Sequence, residues 1–400
     1  MCAPAAEQRA DRQPEVVGRQ QVGLSRITAW LDYAADLGFT GLLLGPIFAS
    51  STHGYDTLDY RAIDPRLGDL DDFLALAAAC REREIALVLD GVFNHVGADH
   101  KWVRDALAAG PDGEANAMVT VDWSTGTAQL GNFEGHDQLV TLNHESERVV
   151  DEVADIMRLW IDRGASGWRL DAAYAVPAEF WRRSIGAVHT THPDAWFLGE
   201  VIHGNYPGFV ESSGVDTVTQ YELWKSIWSA LSEHNLFELD WTLTRHGEFC
   251  EVFTPATFVG NHDVTRIAST LGVDGAIAAL WILMTLPGTP FVYYGDEVGA
   301  VGVKEERAGG DDAVRPEYPA APPSGWASDA DAARVQAAHR EAIALRRSHP
   351  WLVRAHVEVE QLENERITYV ARGTLEGEAL RVDVDLTAAP HVTITAVDPA

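Results

Sequence analysis

The sequence predicts an α/β protein, a (β/α)8 TIM barrel followed by a small antiparallel β domain. Short apolar segments alternate with amphipathic segments of helical period, which is typical of parallel strands joined by helical crossovers. Several apolar segments end on an acidic residue, and the carboxyl ends of barrel strands share one mouth. A doubly wound open sheet also gathers function at its strand ends. No Gly-rich phosphate loop follows any strand here, so that architecture is the second choice.

The predicted strands are short and apolar, and most end in Gly, Pro or an acid. They cover residues 41–46, 85–90, 167–171, 196–200, 257–260 and 290–294. The segments between them carry apolar residues at helical spacing, as helices that cover a sheet do. These predicted helices lie near residues 23–37, 69–84, 145–164, 178–190, 220–235 and 329–348.

Two domains are expected. The barrel occupies residues 1–350, with a long insertion at about 97–142 after its third strand. Residues 97–142 are rich in Gly, Asp and Asn, which indicates an irregular segment over the barrel mouth. Residues 351–400 alternate polar and apolar side chains and predict a small, β-sandwich-like domain.

The first barrel strand is expected to be missing or truncated. Residues 1–20 are polar, and only Val16 and Val17 resemble a strand before the helix near 23–37. A barrel that lacks one strand leaves two unpaired edges, one on each side of the gap. The alternative is that the natural start lies upstream of Met1, and reading the coding DNA there would distinguish the two.

Charge and cysteine content argue against several classes of binding partner and kinds of site. The chain has 60 acidic and 30 basic residues, a formal charge of −30, which argues against nucleic acid or an anionic membrane as the partner. Three widely spaced cysteines (Cys2, Cys80 and Cys250) provide neither a disulfide framework nor a Cys metal site. We see no signal peptide and no apolar window long enough to cross a bilayer, so we expect a cytoplasmic protein.

Three acids follow predicted strands: Asp171, Glu200 and Asp263. Hydrolysis of a glycosidic bond with retention uses two carboxyl groups about 5–5.5 Å apart, one as nucleophile and one as proton donor. Arg169 lies two residues before Asp171, so on a strand both side chains point to one face, and we expect this cation to lower the pKa of Asp171. No cation precedes Glu200 within six residues, so we expect a drier site that suits a proton donor.

The chain resembles the alpha-amylase family of glycoside hydrolases, glycoside hydrolase family 13. Four segments look like that family's signature regions and occur in its order: DGVFNH (90–95), GWRLDAA (167–173), GEV (199–201) and VGNHD (259–263). HGYD (53–56) precedes them and YYGDE (293–297) follows them. Within that family, the chain resembles the bacterial α-glucosidase and amylase-like members whose insertion is short for the family.

The resemblance implies a retaining glycoside hydrolase that acts on α-glucosidic bonds of α-glucans or short α-glucosides, with no required cofactor. Asp171 would attack the anomeric carbon and form a covalent glycosyl-enzyme. Glu200 would protonate the leaving oxygen and then activate water, and Asp263 would stabilise the oxocarbenium-like transition state.

Further site residues are implied by the same resemblance. His95 and His262 would hydrogen-bond hydroxyl groups of the sugar, and Tyr55 would stack beneath its ring. Asp90 would support the mouth structurally. Asn94 matches a position that ligates calcium in many amylases, and His203 follows Glu200 at a similar place, so calcium is a weaker option without a dense acidic cluster to support it.

Asp56 and Arg315 are expected to determine specificity. In relatives that take a terminal glucose, the acid after the stacking tyrosine pairs with an arginine of a late loop, and Arg315 resembles that partner. Such a pair would close the non-reducing side of the site, which favours exo action on short α-glucosides over endo cleavage of starch.

Two other functions stay open on the sequence alone. A transglycosylase or isomerase, for example one that processes trehalose or maltose, uses the same glycosyl-enzyme with a sugar hydroxyl in place of water. A non-catalytic carbohydrate-binding relative would keep the barrel and lose the acids, and all three acids are present.

Overall fold

The computed structural model describes residues 23–307, 309–317, 319–320, 322 and 329–397. Its α-helices are α1 (Leu24–Leu37), α2 (Leu70–Glu82), α3 (Lys101–Ala109), α4 (Glu147–Asp162), α5 (Ala178–His189), α6 (Tyr206–Ser213), α7 (Tyr221–Glu233), α8 (Leu236–Cys250), α9 (Ile267–Thr285) and α10 (Ala330–Ser348).

The strands belong to a parallel barrel sheet, to a two-stranded antiparallel ladder after its first strand, to an inserted region and to a C-terminal sheet. In chain order they are β1 (Gly41–Leu43), β2 (Phe48–Ser50), β3 (Thr57–Ile63), β4 (Ala86–Gly91), β5 (His95–Gly97), β6 (Val121–Asp122), β7 (Gln129–Leu130), β8 (Asn132–Phe133), β9 (His136–Thr141), β10 (Gly167–Leu170), β11 (Trp196–Gly199), β12 (Thr217–Val218), β13 (Ala256–Phe258), β14 (Thr289–Phe291), β15 (His356–Leu362), β16 (Arg366–Arg372), β17 (Ala379–Asp385) and β18 (His391–Ala396).

Parallel pairing arranges the barrel strands in chain order. β1, β4, β10, β11 and β12 form one sheet, and β13 pairs with β14. A parallel bridge between Thr219 and Ala256 joins the two groups. Every residue of β10 is buried, as expected of strands that helices cover on one side and a packed barrel interior fills on the other. The carboxyl ends of these strands therefore lie at one mouth.

The predicted missing or truncated first strand concerns residues 1–20, which lie outside the described residues. Within the described ranges, no backbone pairing joins β1 to β14. The helices outside these two strands do meet, because the Arg340 guanidinium on α10 donates to the carbonyl of Asp36 on α1 (3.0 Å).

The insertion after β4 has its own secondary structure. Val103 and Ala106 of α3 belong to the same apolar cluster as the barrel strands. β5, β9 and β8 form an antiparallel sheet in that order. β6 and β7 form a second small ladder. The insertion therefore holds its strands by their own hydrogen bonds, although its Gly and Asp content predicted an irregular segment.

Helix α9 is long and apolar enough to cross a membrane by length and composition, with a mean hydropathy of 1.8 over its 18-residue window. The expectation that no window reaches this length is therefore wrong. Its buried side chains pack with those of α7, α8 and the C-terminal sheet in one apolar cluster. A core helix covered on several sides is apolar all round, which accounts for its composition.

The C-terminal residues form one antiparallel sheet in the order β15–β18. Its buried face, which includes Tyr369, Val382 and Val384, packs against the α7–α9 cluster, where the sandwich-like prediction would place a second sheet. The Tyr369 hydroxyl lies 2.7 Å from the Thr285 hydroxyl at the end of α9, so a polar contact also joins the two domains.

Arg346 of α10 provides a stability test, because its buried guanidinium donates to the carbonyls of Met284, Leu286 and Gly288 at the end of α9. Arg346→Met should leave these carbonyls without donors and lower the free energy of unfolding by about 3 kcal/mol. Urea titration followed by circular dichroism measures this. Arg347→Met is the control, since Arg347 is exposed on the same helix. Equal losses in both variants would contradict the role given to Arg346.

Candidate active site

Adjacent strands place two acids side by side. Asp171 follows β10 and Glu200 follows β11, and the last residues of these strands, Leu170 and Gly199, are paired in register. The Glu200 amide donates to the carbonyl of Leu170 (3.0 Å), so the parallel ladder continues into the site. Both acids are buried, with 8% and 7% of their surface exposed.

The guanidinium of Arg169 binds three carboxylates. Its Nη1 lies 2.7 Å from Asp90 Oδ1 and 2.9 Å from Asp171 Oδ1, and its Nη2 lies 2.7 Å from Glu200 Oε1. The expected contact with Asp171 is present. The residues before Glu200 carry no cation, as the sequence indicates, but Arg169 reaches Glu200 from the neighbouring strand.

Burial dominates the electrostatics of this cluster. Desolvation raises the pKa of Asp171 well above its usual range, and the charges of Glu200 and Asp90 add to the rise while Arg169 opposes it. Desolvation likewise raises the pKa of Asp90 to about 6 against the same cation. Arg169 lowers the pKa of Asp171, as expected, but one cation does not offset burial and two neighbouring acids, so the expectation of a depressed pKa in the free site is wrong.

Asp263 follows β13. Its carboxylate contacts Arg315 Nη2 (2.9 Å) and His262 Nε2 (3.1 Å), and its amide donates to Asn261 Oδ1 (2.9 Å). Burial and the nearby Arg169 and Arg315 lower the pKa of His262 to about 3. The imidazole of His262 is therefore uncharged, and its contact with Asp263 is not an ion pair.

The expected pair between Asp56 and Arg315 is not formed. Asp56 is buried and accepts from the amide and the hydroxyl of Thr52 (3.1 and 2.7 Å). Arg315 instead contacts Asp263 and Asp311, and its Nε donates to the carbonyl of His262 (2.9 Å). Arg315 therefore orients the third acid, and Asp56 stabilises its own loop.

Tyr55 lies within the site, between two of the predicted residues. Its hydroxyl is 2.7 Å from His262 Nε2 and 3.3 Å from Asp90 Oδ2, and its ring is parallel to that of His262 at 5.9 Å between centroids. Burial raises the pKa of Tyr55 well above its usual range, so the hydroxyl keeps its proton.

His95 is almost fully buried, with both ring nitrogens in hydrogen bonds. Nε2 contacts the backbone carbonyl of Tyr55 (2.9 Å), and Nδ1 contacts the side-chain amide nitrogen (Nδ2) of Asn94 (3.0 Å). A carbonyl only accepts, so Nε2 carries the proton. Burial lowers the pKa of His95 to about 4. In this arrangement His95 holds Tyr55 in place, where the resemblance implied direct contact with sugar.

The two residues named for calcium do not form an ion cage on their own. Asn94 is buried against His95, and the exposed His203 lies near the ring of Tyr174. Among the described residues, no group of three or more His, Cys, Asp or Glu side chains is arranged to hold a metal. Calcium takes six to eight oxygen ligands, so these residues do not fit it.

Sequence reasoning missed two groups that hold Glu200. The amide of Ala172 donates to Glu200 Oε2 (2.8 Å), and Ala172 has a left-handed backbone with φ 45°. The hydroxyl of Tyr221 lies 3.5 Å from Glu200 Oε1 and accepts a hydrogen bond from the side-chain amide nitrogen (Nδ2) of Asn261 (3.0 Å). Tyr221 is 21 residues from Glu200 in the chain, and no local pattern marks it.

Parallel strands with acids at their carboxyl ends around one buried cation define a β/α barrel with an acidic site at its mouth. The sequence matches the family described as "Alpha amylase, catalytic domain" over residues 17–352. The chain therefore belongs to the alpha-amylase family, and its fold is the (β/α)8 barrel with a C-terminal β domain.

Several characterised relatives resemble this chain. Neopullulanase 2 of Thermoactinomyces vulgaris is 34% identical over 292 residues, 69% of this chain and 49% of that protein. A cyclomaltodextrinase of Geobacillus thermopakistaniensis is 32% identical over 70% of this chain and 50% of that protein. The cyclic alpha-maltosyl-(1→6)-maltose hydrolase of Arthrobacter globiformis, in complex with maltose, superposes with a TM-score of 0.80 at 28% identity, covering 94% of this chain and 90% of that chain. The chain spans about half the length of the two curated relatives.

The buried neutral His95 predicts a loss of stability in acid. Its folded pKa of about 4 lies below the unfolded value of about 6.5, so the unfolded chain binds the extra proton between these values. The resulting stability is complete above pH 6.5 and is lost as the pH falls towards 4. His95→Gln should reduce the slope of unfolding free energy against pH by up to about 1.4 kcal/mol per unit in that window.

Urea titrations at half-unit steps from pH 7 to pH 4.5 measure this slope. The exposed His391 is the matched control, and His391→Gln should keep the pH dependence of the unaltered protein. An unchanged slope in His95→Gln would contradict a buried neutral imidazole.

Proposed function

We propose that this chain hydrolyses α-glucosidic bonds with retention of configuration, with Asp171 as nucleophile and Glu200 as general acid and base. One observation carries the proposal: two acids at the ends of adjacent strands share the guanidinium of Arg169. A shared cation keeps the two carboxyl groups near each other, as the separation of about 5–5.5 Å for retention requires.

The reaction needs a proton on Glu200 and none on Asp171. Burial of three carboxyl groups around one cation favours retention of a proton by the cluster, and the proton belongs to the coupled group as a whole. With the proton on Glu200, Asp171 attacks the anomeric carbon while Glu200 transfers the proton to the leaving oxygen. Glu200 then removes a proton from a water molecule whose oxygen attacks the anomeric carbon, and the bond between that carbon and Asp171 breaks.

The other site residues act on binding and charge. Asp263, oriented by Arg315, lies where it can accept hydrogen bonds from sugar hydroxyls. The neutral His262 and Tyr55 form a wall with parallel rings, and an aromatic face can pack against the C–H groups of a pyranose. Asp90 binds Arg169 through both carboxylate oxygens and fixes the cation.

The proposed substrate class is inferred from the names of the relatives. Those named above are called neopullulanase, cyclomaltodextrinase and cyclic alpha-maltosyl-(1→6)-maltose hydrolase. Their names favour linear or cyclic α-glucans for this chain, with α-1,4 or α-1,6 bonds. The expectation of exo action depended on a pair between Asp56 and Arg315, and that pair is not formed.

The first test is the configuration of the product. Proton NMR during the first minutes of maltotriose hydrolysis should show the α-anomer before mutarotation. Asp171→Asn should lower kcat by about 10⁴-fold or more, since a catalytic group that acts within a unit carries most of the rate. Asp194→Asn, at an exposed position before β11, is the control and should keep full activity.

The Glu200→Gln variant tests the acid role of Glu200 separately from the nucleophile role of Asp171. It should abolish hydrolysis of maltotriose, whose leaving sugar needs a proton, and retain attack on α-maltosyl fluoride, whose fluoride leaves without one. Initial formation of the β-anomer, or full activity in Asp171→Asn, would overturn the assignment.

A further inference from the structure

The insertion carries a strained turn above the site. Glu134 and Gly135 form the two-residue loop between β8 and β9, with Phe133 paired to His136. Both loop residues have a left-handed backbone, with φ 51° for Glu134 and φ 84° for Gly135. A hairpin loop of this kind prefers Asn or Gly at its first position, and other residues there cost about 1 kcal/mol or more. A glutamate at this position needs another reason.

The contacts of the turn supply that reason. The hydroxyl of Tyr174 donates to Glu134 Oε1 (3.0 Å). On the other side of the hairpin tip, the ring of Phe133 stacks on His95 at 4.9 Å between centroids and 18° between planes. The tip (residues 132–137) therefore touches both His95 at the start of β5 and the segment that follows Asp171.

Tyr174 connects the turn to the acid. It lies three residues after Asp171, and its amide donates to the carbonyl of Glu200 (3.3 Å). Its ring meets the edge of His203, three residues after Glu200. Burial and the bond to Glu134 raise the pKa of Tyr174, so its hydroxyl remains a donor near neutral pH. The contact between Glu134 and Tyr174 thus lies on the Glu200 side of the mouth.

We propose that Glu134 determines specificity: its bond to Tyr174 fastens the hairpin tip across the Glu200 side of the mouth and limits the size of the leaving-group portion of the glucan. The inference rests on the proposed function, because Glu200 meets the leaving group only if it is the acid. Short linear glucans pass beneath the fastened tip. Cyclic or branched glucans require the tip to move, and the strained turn is retained because it keeps this filter in place.

Removing the carboxylate tests the filter. Glu134→Gly relaxes the left-handed backbone and breaks the bond to Tyr174. The ratio of kcat/KM for α-cyclodextrin to kcat/KM for maltotriose should rise about fivefold, as expected for one lost, partly exposed hydrogen bond to a charged group. Tyr174→Phe removes the same bond from the other side and should shift the ratio equally. The double variant should match either single variant, because all three lack the same interaction.

A matched control separates the effect of losing the bond between Glu134 and Tyr174 from the effect of relaxing the left-handed backbone. Glu84 is also an exposed glutamate with a left-handed backbone (φ 56°), and it lies before β4, at the end of that strand far from the mouth. Glu84→Gly relaxes the same kind of turn, so neither glycine variant should lower the Tm, and only Glu134→Gly should change the substrate ratio. A ratio in Glu134→Gly equal to that of Glu84→Gly, or additive shifts in the double variant, would overturn the proposal.

Turnover of α-maltosyl fluoride by the unaltered protein distinguishes failure of the proposed function from failure of the role given to Glu134. Its leaving group is a single atom, so this activity reports the catalytic acids without a sugar on the leaving side. Activity on the fluoride together with an unchanged substrate ratio in Glu134→Gly would overturn only the role of Glu134. No activity on either the fluoride or maltotriose would overturn the proposed function and the role of Glu134 with it.

Discussion

The contact between Arg169 and its three carboxylates determines the arrangement of the site. Its guanidinium is 5% exposed, and Asp90, Asp171 and Glu200 lie within 2.7–2.9 Å of it. Charges this deep are costly to bury, and removing one partner of such a cluster costs more than the net worth of its contacts. The position of Asp171 is therefore coupled to that of Glu200, and both depend on Asp90, which binds the cation with two oxygens.

Close approach of two strands makes this cluster possible. Gly167 begins β10 opposite Trp196 of β11, and a Cβ at Gly167 would lie 2.1 Å from the Trp196 carbonyl oxygen. No L side chain fits at that distance, so the glycine permits the pairing that brings Asp171 next to Glu200. The backbone of Ala172, left-handed at φ 45°, then turns its amide to Glu200 Oε2. The strain at Ala172 is stored where it orients the acid.

Local pattern predicted the strands that end at Asp90, Asp171 and Glu200, but it missed the two-residue barrel strand β12 (Thr217–Val218). The spacing of Arg169 and Asp171 also gave their contact, because residues two apart on a strand share a face. The contact of Arg169 with Glu200 was not predictable this way, since it depends on which strands are neighbours. The same limit explains the error over Asp56 and Arg315, which lie 259 positions apart and whose loops adopt other contacts. Helix α9 was missed because a helix buried on several sides has no amphipathic period.

We expect Asp171, held beside Glu200 by Arg169, to form a covalent bond to the sugar. The Glu200→Gln variant should accumulate this intermediate with α-maltosyl fluoride, because its deglycosylation lacks a base. Mass spectrometry of the denatured, pepsin-digested protein locates the added maltosyl group. We expect one ester, on the peptide that contains Asp171. An ester on the peptide of Asp90 or Asp263 instead, or release of maltose with no protein-bound sugar at any time, would contradict it.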